Sequence, residues 1–316
     1  MGSGGRESIA GSWRIGEGRA IGLAWRDDRM ELTRISNEHL SVTVSPLGAE
    51  MQAITTSDGR DWLWNGDKAF WAGRSPVLFP IVGKAPDDHV SVDGQRYPMA
   101  QHGFARRSEF TLISSGDDFC RHELVASAAS RSVYPFEFGL TVEHRLEGRA
   151  VTVSAEVRNL DHKPMPFGIG FHPAFVWPLP GCEGLEHGIS LDNGAEPALV
   201  QLSGGLINPA ELASRFKAGE LILEHGLFAG DAMIFPDGAG AGLRYGTGET
   251  GIQFTWENLP NLALWSKAGA PFVCLEPWHG MAAVAGGSDA IEERPYGEVL
   301  GSGASGRYSF KAELLG

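Results

Sequence analysis

Polar and apolar side chains alternate along much of the chain. Leu40, Val42 and Val44 are separated by Ser41, Thr43 and Ser45, a period of two that predicts a strand with one buried face. Pro46-Leu47-Gly48 closes it. Stretches 109–114, 121–127, 138–146, 150–159 and 251–256 behave alike. Ser57-Asp58-Gly59, Val92-Asp93-Gly94, Leu146-Glu147-Gly148 and Pro236-Asp237-Gly238 supply turn chemistry between segments of this kind. Helical periodicity is scarce, and 208–217 is its best candidate. Many short strands, frequent turns and few short helices predict an all-β fold, a large antiparallel sandwich.

No linker or shift in composition divides residues 30–316, which read as a single domain. Residues 1–29 differ. They begin MGSGGRESIAGS, rich in Gly, Ser and Arg, and sustain no periodicity. They are expected to be a leader or disordered tail outside the fold.

Composition narrows the function classes. The 316 residues are 42% hydrophobic, enough for a substantial core, and carry a formal net charge of −13. Phosphate backbones and anionic lipid surfaces repel such a chain, and no run of Lys and Arg offsets this. Nucleic acid and membranes are therefore not expected partners; a small molecule is. Cys120, Cys182 and Cys274 are few, odd in number and widely spaced, so neither a disulfide framework nor a zinc pattern is visible. With no apolar stretch approaching about 20 residues and no secretory apolar core, a cytoplasmic location is expected.

Three segments place ionisable residues in apolar or Gly-rich surroundings: Gln101-His102-Gly103-Phe104-Ala105-Arg106, Phe167-Gly168-Ile169-Gly170-Phe171-His172-Pro173-Ala174-Phe175, and Pro271-Phe272-Val273-Cys274-Leu275-Glu276-Pro277-Trp278. Stretch 272–275 reads as a buried strand, with Glu276 at its end. A carboxylate taken out of water must be paired or hydrogen-bonded, and burial raises its pKa toward a value useful for a base. Read singly, His102 and His172 fit satisfied core histidines better than functional ones. Gly168 and Gly170 would let a chain or ligand approach closely. Trp278 and Trp71 are candidate apolar walls, Trp278 favoured by its nearness to Glu276. Cys274 shares strand parity with Glu276 but reads as a packing residue. Two histidines and a glutamate could hold a metal, yet no His-x-His or His-x-x-x-His pair occurs, so no metal is expected. No Gly-x-Ser-x-Gly elbow, dinucleotide fingerprint or Walker loop is present.

Taken in order, these segments resemble the aldose 1-epimerase (galactose mutarotase-like) family across nearly all of residues 32–315. The resemblance is carried by Ser45-Pro46-Leu47-Gly48-Ala49-Glu50, Arg74-Ser75-Pro76-Val77-Leu78-Phe79-Pro80, His102-Gly103-Phe104-Ala105-Arg106, Gly170-Phe171-His172-Pro173-Ala174-Phe175 and Cys274-Leu275-Glu276-Pro277-Trp278. It implies a β-supersandwich and an isomerase that interconverts the α and β anomers of a hexose or related aldose without a cofactor. It further implies Glu276 as base, His172 as acid, His102 as a donor near the ring oxygen, and Arg74 orienting a hydroxyl. Asp231, in Gly230-Asp231-Ala232-Met233, resembles a substrate-binding position. His-Gly-Phe-Ala-Arg is also typical of the branch acting on hexose 6-phosphates. There Arg106, Arg107, Lys84 and Arg74 would be candidates for a phosphate clamp. A non-catalytic carbohydrate-binding protein on the same scaffold, and a glycoside hydrolase using Glu276 and Asp231, are the other readings.

Overall fold

The computed structural model describes residues 1–2 and 31–316. The expectation for residues 1–29 falls almost wholly outside the described residues. The described chain is mostly strand, arranged in antiparallel sheets. The strand Leu40–Val44 coincides with its alternating pattern, and Ala150–Asn159 has its expected bounds. Other strands shift by a residue or two, as in Thr111–Ser115, Phe119–Val125 and Thr250–Glu257.

Two sheets form the body. A nine-stranded sheet runs, in spatial order, through Glu220–Ile222, Gly188–Leu191, Gly242–Thr247, Thr250–Glu257, Ser305–Leu315, Ala150–Asn159, Phe138–Glu147, Phe119–Val125 and Thr111–Ser115. A six-stranded sheet has the order Met233–Phe235, Asn261–Trp265, Phe272–His279, Ile169–Phe171 and Val77–Leu78. Ala174–Val176 also pairs with Phe272–His279. Aromatic contacts join the two. Phe171 meets Phe310 edge-on at 5.1 Å, and Phe175 meets Phe254 at 5.9 Å.

The six-stranded sheet is covered on both faces, and strand parity sorts its side chains. Val77, Phe171, Met233, Phe235, Leu262, Leu264, Val273 and Leu275 belong to the inter-sheet core. The opposite parity (Leu78, Ile234, Ala263, Cys274, Trp278) packs in separate clusters on the far face. Two-sided burial explains why 272–275 reads as an unbroken apolar run rather than an alternation.

Two expectations are corrected. Segment 208–217 is not helical. Asn208 Oδ1 accepts from the Ala210 amide in a local turn, and Leu212 pairs with Leu199 as an isolated bridge, so the backbone bonds outward. Among the described residues the one α-helix is Ala128–Arg131, started by a Ser127–Ser130 capping box. Nor does Glu276 end its strand. It lies inside Phe272–His279, which continues through Pro277.

Buried titratable groups are expected to make the fold acid-sensitive. His144 lies within Phe138–Glu147, buried near His122, and the Nδ1 atoms of both lack a partner. Burial, with a smaller push from His122, lowers the His144 pKa to about 3. Its pKa is thus below the unfolded value of about 6.5, so stability is complete above that value and falls as pH drops toward 3. His144 alone is expected to cost about 2 kcal/mol between pH 7 and pH 5. Urea melts at the two pH values should show this loss, and His144→Leu should shrink it. An acid slope unchanged by the substitution would remove His144 as its source.

Candidate active site

The catalytic candidates meet through sheet register. Gly170 pairs with Trp278 and Ala174 with Cys274, on the same strand Phe272–His279. Continuing that register sets His172 opposite Glu276, although 104 residues separate them in sequence. The Leu275 amide donates to the Pro173 carbonyl at 3.1 Å, which makes the neighbouring pair, His172 and Glu276, a non-hydrogen-bonded pair with close side chains. His172 Nε2 lies 3.1 Å from Glu276 Oε2. The ladder gap falls where Pro173 and Pro277 have no N–H to give.

Small residues shape this face. A Cβ on Gly170 would sit 2.4 Å from the Trp278 ring, so glycine there gives the indole its place. The close approach foreseen for this glycine is thus to a side chain of the site wall. The segment 74–76 holds His172 by its backbone. The His172 amide donates to the Pro76 carbonyl and the Ala174 amide to the Arg74 carbonyl. Glu50 Oε1 in turn accepts from the amides of Arg74 and Ser75.

His102 comes from a turn that docks against Gly83. Its amide donates to the Gly83 carbonyl, and its Nδ1 accepts from the Gly83 amide at 3.1 Å. A neutral His102 therefore carries its proton on Nε2. His102 has φ +63° and Gly103 φ +70°, a left-handed turn that carries about 1 kcal/mol or more of strain at the histidine. A Cβ on Gly103 would lie 2.1 Å from the Phe79 carbonyl oxygen, so this position requires glycine.

Around these residues lies a cavity of about 360 Å³, in the range of small-ligand sites. His102, His172, Glu276, Arg106, Asp231 and Trp278 all line it. Arg74 does not. Its Nη1 donates to the Gln52 carbonyl at 2.6 Å, and its contribution is the backbone support described above. Lys84 is also absent from the lining and faces Asp88 at 3.9 Å. The expected assignment missed Trp265 and gave Gln101 no role, though both line the cavity. It left Trp71 open. Trp71 stacks on the His172 ring at 4.7 Å, and Trp265 meets that ring edge-on at 5.8 Å. Trp265 shares parity with Ala263, the cross-strand partner of Glu276. A lone sequence carries no signal for that pairing.

Electrostatics follow from burial. Glu276 is 1% exposed and His172 7%. Burial holds the Glu276 carboxyl well above its ordinary range, Asp231 adds to the rise, and Arg106 opposes it. Burial holds His172 well below the ordinary imidazole value, helped by His102 and Arg106. His102 is lowered to about 3 by burial, then by Arg106, Arg107 and Arg294. His102 is therefore neutral near pH 7. The Glu276–His172 pair favours a net-neutral state holding one shared proton. Arg106 has no ion-pair partner among the described residues. Arg107 donates to the Gly103 carbonyl at 2.9 Å. Ligand atoms of His172, Cys274 and Glu276 all lie within 4.8 Å of one another.

Comparison with known proteins agrees with this architecture. The aldose 1-epimerase family model matches residues 31–283. The plasmid-borne protein LacX of Lactococcus lactis subsp. lactis is 30% identical over 274 residues, 83% of this chain and 92% of that protein. A galactose mutarotase-like protein from Lactobacillus casei superposes with TM-score 0.83 at 28% identity, covering 90% of this chain and 100% of the other. A galactose mutarotase related enzyme from Lactobacillus acidophilus shares the fold, with TM-score 0.83 at 24% identity over 90% and 97% of the two chains. With the family match spanning most of its length, this chain belongs to the aldose 1-epimerase family.

Proposed function

We propose that this protein is a mutarotase that opens and recloses the ring of an aldose by proton transfer between Glu276 and His172. The observation that carries the reading is their 3.1 Å contact on the wall of a sugar-sized cavity. Ring opening of a cyclic hemiacetal removes the proton of the anomeric hydroxyl and delivers one to the ring oxygen. A pair holding a single proton does both at once from the tautomer that carries it on His172 Nε2: Glu276 takes the anomeric proton as base while His172 delivers its own as acid. The open-chain aldehyde rotates about the bond to its carbonyl carbon. Reclosure on the other face returns both protons, with the roles exchanged. Protons balance and no atom is net oxidised or reduced, so the reaction requires no redox partner.

The other wall residues follow from their chemistry. His102, with its proton on Nε2, donates to the ring oxygen region as negative charge develops there. The rings of Trp71, Trp265 and Trp278 offer apolar faces to the C–H surface of the sugar, and Asp231 on the rim accepts from hydroxyls. A second reading is a phosphorylated aldose, favoured by Arg106 and Arg107 on one side of the cavity.

Polarimetry on freshly dissolved α-D-galactose and α-D-glucose tests the proposal, with the 6-phosphates in parallel. Anomerisation faster than the buffer blank is expected for at least one sugar. A 6-phosphate preferred by its kcat/KM, with the preference shrinking as salt is added, would select the second reading. Sugar binding by calorimetry with no acceleration of any substrate would replace catalysis by carbohydrate binding.

A further inference from the structure

We infer that His172, Cys274 and Glu276 form a binding site for a thiophilic divalent cation, zinc foremost, whose occupancy blocks proton transfer in the cavity. The sequence pattern argues against a metal because no His-x-His or His-x-x-x-His pair occurs. Sheet register supplies what the spacing lacks. Cys274 and Glu276 are two residues apart on one strand and share its cavity-side face. His172 stands directly across from Glu276 and diagonal to Cys274. Diagonal neighbours on one sheet face are within reach of each other.

The donor set is one thiol sulfur, one imidazole nitrogen and one carboxylate oxygen, all within 4.8 Å of one another. Zinc bonds of ~2.0–2.3 Å in a tetrahedron place ligand atoms roughly 3.3–3.7 Å apart, so a small inward shift closes the site. With one oxygen among three donors, magnesium and calcium are disfavoured, while zinc suits the mixture. His172 and Glu276 line the cavity, so a fourth position faces the open space where water or a sugar hydroxyl could bind. His172 Nδ1 has no hydrogen-bond partner, and metal-binding histidines normally have one. That absence costs on the order of 10–100-fold in affinity, which points to a reversible site rather than a structural zinc. Binding displaces the thiol and carboxyl protons to solvent, and both members of the proton-transfer pair become ligands.

The coordination itself stands apart from the proposed reaction; only its inhibitory consequence rests on that reading. Cobalt(II) titration of the chelator-stripped full-length protein tests the first. A thiolate-to-cobalt charge-transfer absorption is expected in the unsubstituted protein, displaced by zinc and abolished in Cys274→Ala and Cys274→Ser. Cys120 and Cys182 remain in both variants as internal controls. Polarimetry tests the second. Zinc is expected to inhibit, EDTA to restore the rate, and each Cys274 variant to need at least about tenfold more zinc. Cys274 does not line the cavity, so its variants should keep the metal-free rate within a few-fold. A missing cobalt band, or a band that survives in both variants, overturns the site. Zinc sensitivity equal in all three proteins overturns its inhibitory role. A cobalt band without any anomerisation would leave the metal site standing and defeat the proposed function instead.

Discussion

Glu276→Gln is expected to lower the anomerisation rate by about 10²–10⁴-fold while the protein keeps its fold. The substitution is nearly isosteric, and the site demands that. Glu276 is 1% exposed, sits between Leu275 and Pro277 in the strand Phe272–His279, and faces His172 at 3.1 Å. A glutamine fills the same volume and still hydrogen-bonds across the pair, but it cannot take up a proton. Stability should hold or rise, because burial already disfavours a charge at this position. Thermal melts and polarimetry on the same preparation separate the two effects. An unchanged rate in a folded variant would take the base role away from Glu276. A lost rate with a collapsed melting transition would call for Glu276→Asp, which keeps the proton chemistry but withdraws the carboxylate.

The fold was legible wherever a strand has one wet face. Leu40–Val44 alternates because only one side is buried, and its bounds can be read from the sequence. Phe272–His279 is buried on both faces, so its apolar run marks a strand without marking its length. Pro277 looks like a stop. It is tolerated because it lies opposite the stretch where the partner ladder is already interrupted at Pro173. Segment 208–217 misleads for a related reason: its apolar spacing fits a helix, but its amides bond to Asn208 and Leu199 instead.

The site divides along the same line. Glu276 is conspicuous because a carboxylate within an apolar strand needs a physical account. His102 and His172 read singly are ordinary core residues, and only their ordered motifs mark them. The contact of His172 with Glu276 depends on register between segments 104 residues apart, which local patterning does not encode. Trp265 escapes for this reason, since an aromatic at the end of a buried strand looks like core. Arg74 shows the opposite failure. Its motif places it in the site, while its guanidinium bonds the Gln52 carbonyl and its backbone braces the segment carrying His172.

His172→Gln is expected to cost a similar 10²–10⁴-fold, and the double variant Glu276→Gln/His172→Gln little more than either single one. Independent groups would multiply their losses. These two hold one proton between them across a 3.1 Å contact, and the step needs a donor and an acceptor together. Removing either leaves the other without a counterpart, so most of the loss appears with the first substitution. Glutamine suits the test because its amide reaches the position of Nε2, the atom that faces Glu276. The stack on Trp71 is lost, so some increase in KM is expected as well. Steady-state comparison at saturating sugar removes that contribution and reads kcat alone. If the double variant instead falls by the product of the two single losses, Glu276 and His172 act in separate steps. The shared-proton mechanism would then give way to one in which another residue lining the cavity, His102 first, completes each transfer.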